Sequence, residues 1–260
     1  MLARLGSFLL RRLPPDNVHW YRLCRRYVDA YSGENNDDMR TNGELHFLRQ
    51  TLTNCETVFD VGANVGNWAE LALQINPRLR LHCFEPSQPT FLRLLAKAFP
   101  PHVVCNPFGL GSAQGERTLY VFDEGSGLNS LYRRQGLEAG YGLSPQQRTE
   151  TAHLDTLDHY CQEHGVFDID LLKADVEGHE LEVFKGAKQM LAKRRIKIIQ
   201  FEYGGCNIDA RVLLKDFFDF FQPHGYAFYK IYPKELRRVE RYDQRFEDFQ
   251  YQNWVVTRID

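Results

Sequence analysis

Long apolar runs are missing from this chain. No stretch of its 260 residues approaches the ~20 consecutive apolar positions that a membrane-spanning helix requires, so stable membrane insertion is not expected. Clustered cysteines are missing too. Cys24, Cys55, Cys83, Cys105, Cys161 and Cys206 are scattered without a Cys-x-x-Cys pair, which argues against a zinc ribbon or a disulfide framework and fits a reducing cytosol. Cys161 and His164 lie one helical turn apart, but no second ligand pair accompanies them. Nor does one sign of charge dominate. The 32 basic and 34 acidic residues leave a formal charge of −2, which gives no bulk pull toward nucleic acid or anionic lipid. The pairs Arg11-Arg12, Arg194-Arg195 and Arg237-Arg238 read as solvated faces. The opening "MLARLGSFLLRRLPP" is apolar, yet Arg4, Gly6, Arg11 and Arg12 interrupt it and no small-residue cleavage site follows. It reads as an amphipathic helix covering the domain, with docking on a membrane surface as the lesser option. A cytoplasmic protein is expected.

What is present is a rhythm. From residue 55, "TVFDVG", "LRLHCFEP" and "HVVCNPFGL" read as strands, separated by helical "NWAELALQIN" and "PTFLRLLAKAF". "GERTLYVFD" is a further strand, and the Gly/Ser-rich "EGSGLNSLYRRQGLEAGYGLS" reads as a long loop or lid. The alternation resumes with helix "TLDHYCQEHG", strand "IDLLKADV", helix "ELEVFKGAKQMLAKR", strand "IKIIQFEY" and helix "ARVLLKDFFDFFQPHG". "YAFYKIY" and "NWVVTRI" then predict an antiparallel hairpin at the sheet edge. Alternating strands and helices predict a doubly wound α/β fold with a mostly parallel sheet. The expected organisation is a helical N-terminal extension over residues 1–50 and one α/β domain over residues 51–260.

The segment "VFDVGANVGNW" ends its strand in a glycine turn. Gly62 and Gly66 permit a tight turn and close ligand approach. The dinucleotide fingerprint G-x-G-x-x-G lacks its central glycine here, because Asn64 stands in that place. That weakens a nucleotide-dependent oxidoreductase reading. Asp60 beside the turn would repel a phosphate and attract a cation such as a sulfonium. Glu85, ending the second strand in "FEP", can accept hydrogen bonds from both ribose hydroxyls. A ribose at Glu85 and a cation near Asp60 together describe S-adenosylmethionine. Taken singly, Asp60 could cap a helix and Glu85 could be an exposed strand end.

With "FDVGANVGNW", "FEPSQPTFLRLL", "FGLGSAQGERTLYV", "LDTLDHY", "IDLLKADVEGHELEVFKGA" and "IQFEY" in that order, residues 58 to 203 resemble the FkbM-type S-adenosylmethionine-dependent methyltransferases. The resemblance implies the seven-stranded, Rossmann-like class I methyltransferase fold and S-adenosylmethionine as methyl donor. It also implies a hydroxyl acceptor on a small metabolite such as a sugar or a polyketide. Carried over residue by residue, Asp60, Gly62, Asn64 and Gly66 would surround the methionine end. Glu85, followed by Pro86, would hold the ribose, and the turn from Phe108 to Gly111, with Leu110, would pack near the adenine. Asn42 and Glu44, in "TNGELHFL", resemble a segment that often precedes the glycine loop.

"LLKADVEGHE" gathers Lys173, Asp175, Glu177, His179 and Glu180. Asp175 and Glu202 are expected at adjacent strand tips, where two carboxylates repel unless they are protonated, bridged by a cation or facing positive charge. Two routes to removing the acceptor's proton stay open. Asp175 and Glu202 could bind a divalent ion such as Mg²⁺, as similar tips do in some oxygen methyltransferases; or His179 or Asp175 could act as base without metal. Lys173 is expected to pair with a neighbouring acid. A non-catalytic binding protein that retains the fold is the remaining alternative, and the oligomeric state is not legible.

Overall fold

The computed structural model describes residues 12, 16–137, 142, 146 and 148–259. The expected helix over the opening stretch, and part of the end of the Gly/Ser loop, lie outside the described residues. Strands β1 (Thr57–Val61), β2 (Arg80–Phe84), β3 (Val103–Asn106), β7 (Ile169–Ala174) and β8 (Ile196–Tyr203) form the parallel part of the main sheet. β9 (Tyr226–Tyr232), β10 (Glu235–Val239) and β11 (Gln252–Arg258) complete it as an antiparallel end. The order is β10-β9-β11-β8-β7-β1-β2-β3. This is the doubly wound sheet read from the sequence, with eight strands where seven were expected. β4 (Gly109–Leu110), β5 (Gly115–Val121) and β6 (Arg148–Asp155) make a separate small sheet in the order β4-β6-β5.

Adjacent residues of β1 serve opposite faces. Phe59 packs with Tyr160, Leu172, Phe184, Ile199, Phe201 and Phe217, whereas Val58 packs with Leu48, Leu81, Ala72, Leu94 and Val255. That alternation is what a strand with both faces covered demands. The helices on the two faces are α2 (Glu44–Thr51), α3 (Asn67–Ile75) and α4 (Gln88–Leu95) on one, and α5 (Leu157–His164), α6 (Glu180–Lys185), α7 (Lys188–Ala192) and α9 (Leu214–Phe221) on the other. A short α8 (Cys206–Ala210) follows β8 directly.

Several sequence expectations need correcting. "HVVCNPFGL" is two strands in two sheets; Pro107 has no N–H to continue a ladder, and Gly109–Leu110 pair instead with β6. The single helix expected over "ELEVFKGAKQMLAKR" breaks between α6 and α7, where Gly186 abuts another backbone: a Cβ there would lie 2.1 Å from the Gly111 carbonyl oxygen. β9 and β11 are antiparallel partners as expected, but β11 inserts between β9 and β8, and the edge belongs to β10. The 50/51 boundary falls inside α2, whose Phe47 and Leu48 are core residues. The extension is therefore α1 (Val18–Ser32), capped by Asn17 at its start and Gly33 at its end.

Candidate active site

The parallel register brings the carboxyl ends of β2, β1, β7 and β8 to one edge, where sheets of this type bind ligands. Two cavities meet there. The first, about 70 Å³, is lined by Gly62, Asn64, Glu85, Pro86, Leu110 and His179, among others. The second, about 690 Å³, is lined by Asp37, Arg134, Glu202, Cys206, Asp209 and Tyr251, among others. Gly62, Asn64, Gly127, Asp175 and Glu177 face both.

Backbone donors of the glycine turn are fully committed. The N–H groups of Gly62 and Ala63 donate to the Phe84 carbonyl, that of Asn64 to Glu85 Oε2 at 3.0 Å, that of Val65 to Asn64 Oδ1 and that of Gly66 to the Ala63 carbonyl. None is left to cradle a pyrophosphate, which counts against a dinucleotide more strongly than the missing glycine did. Asn64 adopts left-handed φ of 50°, which Asn tolerates better than most residues. Glu85 also accepts from the Ser87 N–H at 2.9 Å. Burial pushes its carboxyl up to about 7, against those two hydrogen bonds.

Asp60, expected beside the ligand, lines neither cavity. It is fully buried and ion-paired with Lys173 Nζ at 3.0 Å, so its charge is already met. Lys173 also reaches Asp175 at 3.4 Å. Gly66 lines neither cavity either; its α-carbon faces Leu94 and Phe99. Gly62 does line both, and it must be glycine because a Cβ would lie 1.9 Å from the Asp175 carbonyl oxygen. Asn42 and Glu44 lie in the floor beneath the site. Glu44 accepts from Gln200 Nε2 at 2.6 Å, from Asn42 Nδ2 at 3.2 Å and from Asn253 Nδ2 at 3.4 Å.

At the other end Glu202 lines the larger cavity, as its strand position predicted. Burial and the carboxylates of Asp175, Glu177, Glu180 and Glu44 hold its pKa well above the usual range. The Glu177 carboxylate is close by: oxygens of the two, with Cys206 Sγ, lie within 4.8 Å of one another. Asp175 does not belong to that cluster. Glu177 sits at left-handed φ of 53°, a strained conformation for glutamate. Its carboxylate meets Arg134 Nη1 at 2.5 Å, and burial still pushes it up to about 8. Arg134 reaches Asp209 as well, at 3.5 Å. His179 lines only the smaller cavity. Burial lowers it to about 4, and its Nδ1 is 3.0 Å from the Tyr132 hydroxyl.

The family profile described as Methyltransferase FkbM domain matches residues 60–228. The chain belongs to this family. Its fold is that of class I methyltransferases, with β10 added at one edge. Among similar curated proteins, the AMB antimetabolite synthetase AmbE of Pseudomonas aeruginosa is 31% identical over 173 residues, covering 55% of this chain and 8% of AmbE. The hexuronic acid methyltransferase AglP of Haloferax volcanii is 27% identical over 179 residues, covering 67% of this chain and 69% of AglP. The 2-O-methyltransferase NoeI of Sinorhizobium fredii is 27% identical over 152 residues, covering 53% and 60%. The chain thus spans a small part of AmbE and well over half of the other two.

The FkbM-domain loop between β5 and β6 lies over the junction, as a lid would. Ser126, Gly127, Asn129 and Leu131 line the smaller cavity, Ser130 Oγ donates to the Glu177 carbonyl at 2.7 Å, and Arg134 fastens the loop to Glu177 and Asp209. Asp37, Cys206, Asp209 and Tyr251 were missed as lining residues by sequence reasoning. Cys206 and Asp209 could have been found from "GGCNIDA", a Gly-Gly break directly after the strand that carries Glu202 near its end.

Proposed function

We propose that this chain transfers a methyl group from S-adenosylmethionine to a hydroxyl oxygen of a small polar metabolite, such as a sugar or a polyketide. The observation that carries this reading is the junction of the two cavities at Gly62, Asn64, Asp175 and Glu177. One side offers Glu85 between apolar Pro86, Leu110 and Leu154, which suits a ribose diol joined to a flat base. Each oxygen of Glu85 accepts one backbone N–H and keeps capacity for a hydroxyl donor. When bound, S-adenosylmethionine supplies a methyl group on a positively charged sulfur. Asp175, open to the junction, takes the place expected of Asp60 as the carboxylate facing that charge. Ser126–Leu131 close this side of the junction, where a loop can exclude water from a bound ligand.

On the acceptor side, Glu202 takes up the hydroxyl proton, and Glu177 shares it. Proton transfer works best from a base whose pKa lies near the working pH, and the crowding of carboxylates moves this pair in that direction. Burial holds the Cys206 thiol well above its usual pKa, so it stays protonated and is a weak ligand. Proton transfer to Glu202 needs no metal, whereas Mg²⁺ would take the oxygens of Asp175 and Glu202 and leave the thiol aside. The names of AglP and NoeI, a hexuronic acid and a 2-O position, support a hydroxyl acceptor.

Isothermal titration with S-adenosylhomocysteine and with NAD tests the reading: binding of the first and none of the second is expected, and the reverse overturns it. Glu85→Ala should weaken S-adenosylhomocysteine by ten- to a hundredfold, equivalent to about 1.5–3 kcal/mol for hydrogen bonds to a charged group. Chelation with EDTA should leave turnover unchanged.

A further inference from the structure

The larger cavity, on the acceptor side, carries charge of one sign. Among the described residues its walls hold five carboxylates, those of Asp37, Asp175, Glu177, Glu202 and Asp209, against the single guanidinium of Arg134. That cation is already engaged: Arg134 is buried and ion-pairs with both Glu177 and Asp209. Lys173, which is not part of the lining, meets Asp175 at 3.4 Å but is shared with Asp60 at 3.0 Å. Asp37 and Glu202 take part in no ion pair among the described residues. Even if Glu177 and Glu202 each held a proton, three carboxylates would still face one guanidinium. A cleft lined by one sign of charge concentrates ligands of the opposite sign and repels those of its own.

Two kinds of cation could meet this charge. A hard divalent ion takes about six oxygen ligands at short range, and three of the five carboxylates are already held by Arg134 and Lys173. An organic ammonium asks for less. It needs hydrogen-bond acceptors around its N–H groups and gains further from an aromatic face beside it. The cavity supplies both, since Phe249 and Tyr251 line the same walls, along with apolar Leu137 and Ile208. A hydrated metal ion would gain nothing from those four residues. Resting on the methyl-transfer reading above, we propose that the acceptor is a polyhydroxylated molecule bearing an ammonium group, such as an amino sugar, and that Asp37 selects for its positive charge. Glu202 is left to meet the reacting hydroxyl. An anionic acceptor is excluded by the same walls that attract a cationic one.

The probes are 6-amino-6-deoxyglucose, glucose and glucuronate, which differ only at the exocyclic carbon and are cationic, neutral and anionic. Their binding to the full chain with S-adenosylhomocysteine is read by saturation-transfer NMR and by titration, with EDTA present. The amino sugar should bind roughly tenfold more tightly than glucose, as one charge pair at a partly exposed site gives, and glucuronate more weakly than either. Asp37→Lys should erase the advantage of the amino sugar, while the melting temperature holds because Asp37 is exposed. Equal binding of the amino sugar and glucose, binding of neither, or tighter binding of glucuronate overturns the proposal. So does a preference that Asp37→Lys leaves intact, or one that appears only when Mg²⁺ replaces EDTA, which would assign the charge to a metal ion. S-adenosylhomocysteine is titrated first. Its failure to bind sinks the methyl-transfer reading itself, whereas its binding without the charge order sinks this inference alone.

Discussion

Replacing Glu202 with glutamine should make the protein more stable and less active at once. Oxygens of Glu202 and Glu177 lie within 4.8 Å. Two charges at that separation repel by about 3 kcal/mol at the effective dielectric that suits protein sites. Keeping one carboxyl protonated at neutral pH, starting from its ordinary 4.5, costs a similar ~3 kcal/mol. The two costs balance, so one of the two carboxyls keeps its proton near neutrality and loses it only above. Because the folded-state pKa values are raised, the pair's contribution to stability is complete below the unfolded value of 4.5 and falls as pH rises toward the folded values. Glu202→Gln removes that loss. Urea unfolding should show the variant level with the parent at about pH 4 and more stable by roughly 2–3 kcal/mol near pH 8. Methyl transfer should meanwhile fall by roughly 10²- to 10⁴-fold, as expected for loss of a base. A stability difference that is the same at both pH values, or a variant less stable near pH 8, would refute the reasoning.

Gly62→Ala should cost more than ~3 kcal/mol or prevent folding, because the new Cβ meets the Asp175 carbonyl at φ of +83°. Gly127→Ala, with nothing within 4 Å of its Cβ position, should unfold in urea like the parent. Lys173→Met strands the buried Asp60 carboxylate and should cost about 3–5 kcal/mol; adding Asp60→Asn should restore most of it, as a double-mutant cycle in urea would show.

Where burial is periodic, the sequence was legible. β1, β7 and β8 are apolar enough to read directly, and "IQFEY" puts Glu202 at its strand tip. β6 and β10 were missed because their side chains are mostly exposed; such strands are held by backbone pairing, which leaves little side-chain pattern. Among the residues singled out, Glu85, Asn64 and Asp175 line the smaller cavity. Asp60 was misread because charge alone cannot say which of two neighbours, a ligand or Lys173 one strand over, will meet it. The carboxylate cluster also brings Glu177 to Glu202, from a left-handed turn, while the Asp175 carboxylate still acts on Glu202. Composition carries no signal for that turn.

The polar floor has a practical consequence for anyone trimming this protein. Residues 60–228 are those the family shares, yet a fragment cut to those limits would begin inside β1 and lose Glu44 and Asn253, which hold Gln200 and one another. It would also lose β11, opening a gap between β8 and β9. Shared ancestry and mechanical completeness draw different borders here. The smallest working piece starts before α2 and runs through the last strand.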